Sequence, residues 1–149
     1  MARPKIEVKH FIVCQAASWE GPAGPHTPRT LEGVCHRIGV PPGTEFPFEV
    51  ENLWTYLRLF NTNAGAGTVN LHLGLIWTDA SGGPRRIGTQ PHVRIPFRPD
   101  RGVVETAVSV RPIAFPGAGW YEFRLTREVR LKWKTRRLIV AREQILIGS

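Results

Sequence analysis

The stretch Val69-Asn70-Leu71-His72-Leu73-Gly74-Leu75-Ile76-Trp77 decides the fold class. Val69, Leu71, Leu73, Leu75 and Trp77 recur at every second position, with Asn70, His72, Gly74 and Ile76 between them. Successive strand side chains point to opposite faces, so this period describes a half-buried β-strand. The turn cluster Asn61-Thr62-Asn63-Ala64-Gly65-Ala66-Gly67 precedes it, and Asp79-Ala80-Ser81-Gly82-Gly83-Pro84 ends it.

Working outward, the same alternation predicts strands over about 6–16, 31–38, 48–60, 93–97, 104–111, 120–125 and 129–140, with a tail after the last. Pro96 marks its strand as an edge or a strand end, because proline cannot donate to a ladder. Val40-Pro41-Pro42-Gly43-Thr44, Arg98-Pro99-Asp100-Arg101-Gly102 and Pro116-Gly117-Ala118-Gly119 read as turns. No stretch longer than a turn or two has helical period. With 15 Gly and 13 Pro in 149 residues, the chain is expected to be all-β. It reads as a single-domain antiparallel β-sandwich of about eight strands, of immunoglobulin-like or related topology. The domain is expected to cover 1–149, with a Pro/Gly-rich loop at about 20–29. Leu71, Leu73, Leu75, Val108, Phe123 and Trp133 are its expected core.

Two local features sharpen that expectation. Tyr121 follows a Pro-Gly-x-Gly turn and opens an alternating strand, as in the tyrosine corner of immunoglobulin-like sandwiches. An ordinary core tyrosine fits the same position. The last two strands read as a hairpin turning at Glu128. That register sets Leu125 against Leu131 and Phe123 against Trp133 on one face, and Arg124 against Lys132 and Glu122 against Lys134 on the other.

The formal net charge is +8, from 20 Lys+Arg against 12 Asp+Glu. The excess collects near the C-terminus, where Arg124, Arg130, Lys132, Lys134, Arg136 and Arg137 form a candidate polyanion-binding face. In the predicted register Lys132, Lys134 and Arg136 share one side, but Trp120, Tyr121 and Trp133 fall on the apolar side or at the strand start. Aromatic rings inside a core do not stack on bases. The plainer reading, a sheet edge guarded by positive charge, is therefore preferred.

Candidate chemistry elsewhere is sparse. Cys14 and Cys35, with His26 or His36, lack the close ligand pairs of a zinc site, and consecutive Cys35 and His36 point to opposite faces of a strand. They read as buried thiols. Gly65-Ala66-Gly67 has no following G-K-[ST], and no G-x-S-x-G occurs. Glu45, Glu49 and Glu51 read as solvent-facing carboxylates, and His72 as an outer-face residue. No catalytic residue, metal or cofactor is expected. Glu7 and Lys9 interrupt the N-terminal apolar run, against a signal peptide, and no segment has the ~20 apolar residues of a membrane span. The expectation is a cytoplasmic protein with reduced thiols and no membrane partner.

Phe11-Ile12-Val13-Cys14, Leu31-Glu32-Gly33-Val34, Phe46-Pro47-Phe48 and Gly119-Trp120-Tyr121-Glu122-Phe123-Arg124-Leu125 together resemble a group of small bacterial β-sandwich proteins of unknown function. The resemblance implies a fold and no activity. The expected function is a non-catalytic binding or scaffolding module that engages a protein partner, or a second copy, through a sheet edge or end loops. The alternative is nucleic-acid or polyanion binding through the basic C-terminal hairpin.

Overall fold

The computed structural model describes residues 3–18, 30–51, 53–88, 91–100, 102–110 and 113–148. The predicted loop at 20–29 lies outside them. The described residues form no helix and twelve strands: β1 (Ile6–Ser18), β2 (Thr30–Val34), β3 (Arg37–Gly39), β4 (Phe48–Val50), β5 (Leu53–Asn61), β6 (Gly67–Trp77), β7 (Arg85–Ile87), β8 (His92–Phe97), β9 (Val103–Val110), β10 (Ile113–Phe115), β11 (Gly119–Arg130) and β12 (Thr135–Gly148).

One sheet has the order β2-β1-β5-β9, antiparallel throughout. The larger sheet runs β3-β12-β11-β6-β7. β8 shares the flank of β6 with β7: β7 pairs with Leu75–Trp77 and β8 with Gly67–His72. Among the described strands β8 pairs only with β6, the edge position that Pro96 predicts. β4 and β10 pair separately.

The inward faces explain why these segments are strands. Leu53, Leu57 and Leu59 of β5, Leu71, Leu73 and Leu75 of β6, Phe123 and Leu125 of β11, and Ile145 and Ile147 of β12 belong to one buried apolar cluster. Burying each such side chain contributes about 1.5–3 kcal/mol. The β6 alternation holds from Val69 to Leu73, beyond which Gly74 and Ile76 are buried too and Trp77 only partly; Val108 packs partly buried against the same cluster. Tyr121 is fully buried; its hydroxyl donates to the Gly117 carbonyl at 2.6 Å, and its ring stacks on Trp77 with centroids 5.6 Å apart.

Several expectations are corrected. The described residues form twelve strands, not about eight: two predicted strands each divide, and two further short strands appear. Residues 31–38 become β2 and β3 on different sheets: the Cys35 amide donates to the Val13 carbonyl (2.8 Å), while the next carbonyl, of His36, accepts from the Leu146 amide (3.0 Å). Residues 48–60 divide into β4 and β5. β7 and β10 were not predicted. The sheets are not wholly antiparallel, since β3 runs parallel to β12, with Ile38 opposite Ile147. The predicted tail after Val140 is strand: β12 continues to Gly148 and buries Ile145 and Ile147 completely. Trp133 is not in the core; it is 86% exposed.

Candidate polyanion interface

β11 and β12 stay paired from Gly119↔Ile147 to Arg130↔Thr135. The Leu131 amide donates to the Lys134 carbonyl at 2.8 Å, so Lys132 and Trp133 are the two turn residues. The predicted turn at Glu128 is therefore displaced toward the C-terminus. Glu128 lies opposite Arg137, Arg124 opposite Arg142, and Glu122 opposite Gln144. The predicted pairs Arg124–Lys132 and Glu122–Lys134 do not form.

The hairpin outruns the sheet that supports it. β6 pairs with β11 only as far as Arg127, and β3 pairs with β12 only at 146–148. Beyond Arg127 the only strand pairing is between β11 and β12 among the described residues, and every residue from Arg130 to Ile139 is exposed. The result is a two-stranded arm. Between Arg130 and Arg137 it carries the cations Arg130, Lys132, Lys134, Arg136 and Arg137 and no carboxylate.

The structure divides the six predicted cations. Arg124 sits back on the sheet, where its Nε donates to the Glu122 carboxylate. Buried Glu122 also has Arg142 Nε at 3.7 Å. Arg124 is thus held by a carboxylate and does not belong to the arm. Arg130 closes β11, Lys132 and Lys134 flank Trp133 at the turn, and Arg136 and Arg137 open β12 opposite Val129 and Glu128. Lys132, Lys134 and Arg136 do not share one strand face, because the first two lie at the turn. The premise that the aromatic rings are committed to the core fails for two of them: Trp133 stands at the tip, and Trp120, at the other end of β11, is 43% exposed. Leu131, Leu138 and Ile139 are also exposed on the arm.

At the root of the arm, charge and ring stacking meet on the outer face. His72 of β6 and His92 of β8 stack with ring centroids 4.6 Å apart and planes 5° from parallel. His72 Nε2 lies 3.0 Å from Glu128 Oε2, and His92 Nε2 lies 3.2 Å from Asn70 Oδ1. The hydrogen bond from His72, outweighing desolvation, holds the Glu128 carboxyl below its ordinary value, with the charges of His72, Arg137 and His92 adding to the effect. His72 does face outward as read, but its neighbours cover it: its side chain is only 12% exposed. Sequence reasoning missed this cluster, whose one signal was the cross-strand register of β6 and β8.

Cys14 and Cys35 are both buried free thiols. Burial, with the nearby Cys35, raises the Cys14 thiol to about 11, and burial also raises Cys35. The Cys35 thiol donates to the Gly33 carbonyl at 2.9 Å. His36 points away, with its Nδ1 3.3 Å from Glu143 Oε1. Among the described residues no cluster of three or more His, Cys, Asp or Glu is arranged to hold a metal ion, and no helix is long and apolar enough to cross a membrane. The chain matches no family model, and no curated protein is similar to it in sequence.

Proposed function

We propose that the protein is a non-catalytic binding module whose working surface is the β11–β12 arm, and that its ligand is a single-stranded nucleic acid. The observation that carries this reading is Trp133: a large ring 86% exposed at a turn between Lys132 and Lys134. An aromatic face beside cations is what single strands require, since bases stack on the ring while the cations follow the phosphates. A stacking base contributes about 1–3 kcal/mol. Charge that merely guards an edge has no need of an exposed tryptophan at its centre. Every residue of the arm from Arg130 to Ile139 is exposed, so a flexible strand can reach it.

The fold belongs to the same proposal. A sandwich of immunoglobulin-like topology is supported by the strand order β1-β5-β9 in one sheet and β12-β11-β6 in the other. These correspond to the A-B-E and G-F-C neighbours of that architecture. The bond from Tyr121 back to Gly117, at the start of the strand equivalent to F, supports it as well. In that arrangement the arm is an extended end loop.

The test is fluorescence anisotropy of a labelled 12-nucleotide single-stranded DNA of mixed sequence, titrated with the full chain at several salt concentrations. Binding whose log affinity falls linearly with log salt is expected, each phosphate contact contributing about 0.7 to the slope. Absence of binding at low salt would overturn the reading.

A further inference from the structure

Beside the root of the arm lies a groove of about 730 Å³. Its walls include Arg3 from the chain before β1, Thr68 from β6, and Arg127 and Arg130 from β11. Arg127 points to the inner side of its sheet, where its Nη2 donates to the Pro4 carbonyl at 2.7 Å. Burial and the charge of Arg3 lower the Arg127 guanidinium from its ordinary value. Arg3, Arg127 and Arg130 thus line the same groove, and Arg127 reaches the backbone of the residue next to Arg3.

Like charges converging without a counter-charge are unfavourable unless something occupies the space between them. Among the described residues no carboxylate lies within ion-pair distance of Arg3, Arg127 or Arg130. Glu128 is the one carboxylate lining the groove, and its Oε2 is engaged by His72 on the other face of the sheet. Guanidinium forks match phosphate oxygens in geometry and bind them by charge-assisted bonds. The groove also has the volume of an ordinary small-molecule site.

We infer that this groove is a phosphate-binding subsite in which Arg3, Arg127 and Arg130 converge on one phosphate group. This rests on the proposed function in one respect: that phosphate is a phosphodiester of the strand whose base reaches Trp133. Arg130 is three residues from Trp133, at most about 10 Å along the chain, so one bound strand can span both.

Two measurements test the subsite. The first titrates inorganic phosphate into the full chain while following the arginine Nε–Hε signals by NMR. Saturable shifts at Arg127 and Arg130 are expected in the wild type, and the Arg127 shift should be lost in an Arg3→Ser/Arg130→Ser variant whose other signals stay in place. The second compares the 12-nucleotide DNA on both proteins. The double variant, made at exposed positions, should bind about tenfold more weakly, the worth of a charge-assisted hydrogen bond. Its salt slope should be flatter by about 0.7, one phosphate contact. Phosphate shifts no larger in the groove than at Arg136 on the arm, or an unchanged affinity and slope in the double variant, would overturn the subsite. Phosphate binding in the groove with no DNA binding to the wild type would instead overturn the nucleic-acid reading and leave the subsite, with a free phosphate group as its ligand.

Discussion

The Tyr121 hydroxyl both donates to the Gly117 carbonyl, at 2.6 Å, and accepts from the Gly117 amide, at 3.2 Å. One side chain thus fixes the turn that launches β11. Its ring is held between Trp77, stacked at 5.6 Å, and Phe115, edge-on at 4.9 Å. Tyr121→Phe keeps the ring and strands both Gly117 groups. Removing a partner from a buried polar group costs about 1–3 kcal/mol. Urea denaturation should show that loss of stability with an unchanged m-value. A variant as stable as the wild type would mean that water satisfies the turn equally well.

Gly117 has a second constraint. A Cβ there would lie 2.7 Å from the Trp77 ring carbons. Gly117→Ala must push that ring out of its stack on Tyr121, at a cost of about 1–3 kcal/mol, the usual effect of overpacking. A lower urea midpoint together with an altered near-ultraviolet circular dichroism band is expected.

Trp133→Ala separates binding from folding. The ring buries almost nothing, so stability should stay within about 0.5 kcal/mol. If its face stacks on a base, affinity for single-stranded DNA should fall by about 1–3 kcal/mol, roughly 5- to 150-fold. The salt slope should not change, because no phosphate contact is lost. Unaltered affinity would remove the stacking platform from the proposal.

The Cys14 thiol is raised from 9.0 to about 11. The fold therefore favours its protonated form. Its contribution is complete below pH 9, the unfolded value, and is lost as pH rises toward 11. Urea midpoints should decline across that window, and the decline should be shallower in Cys14→Val. Neither thiol should react with iodoacetamide at pH 8 in the folded protein, as intact mass would show.

Glu128 shows the opposite sign. Its folded value lies below the ordinary 4.5, chiefly through the bond to His72. Its contribution is present above pH 4.5 and disappears as pH falls through the lowered value. Carboxyl carbon NMR should find Glu128 titrating below 4.5 in the wild type and returning toward 4.5 in His72→Gln. A titration midpoint that does not move would mean that another group depresses it.

Where side chains face two different media, the strands were legible from sequence alone. Val69 to Trp77 announces itself because one side meets the core and the other does not. The sheet crossing at Cys35 and His36 is hidden, since the Cys35 N–H bonding to one sheet and the His36 carbonyl to the other leaves the apolar alternation intact. The turn at Lys132–Trp133 was hidden for another reason. It contains none of the Gly, Asn, Asp or Pro that mark hairpins, and Leu131 and Trp133 carry the alternating apolar pattern straight through it. The basic cluster is visible in composition, but the alternation and the hairpin register place its aromatic partner, Trp133, in the core. A long hairpin can carry apolar residues past the end of its core, and only the position of the turn reveals that. Arg3 and Arg127 are 124 positions apart in sequence, so no local pattern could join them.

The crossing from β2 to β3 also has a mechanical consequence. Arg37, Ile38 and Gly39 run alongside Leu146, Ile147 and Gly148 in the same direction. The bonds Leu146 N–H to His36 O and Val40 N–H to Gly148 O lie at the two ends of that short splice. Tension applied along β12 through Gly148 loads these bonds together, in shear, and does not peel them one after another. Through Cys35, the same load passes to β1 and hence to the opposite sheet. The last strand is thereby riveted where it leaves the domain, while its other end stands free as the arm.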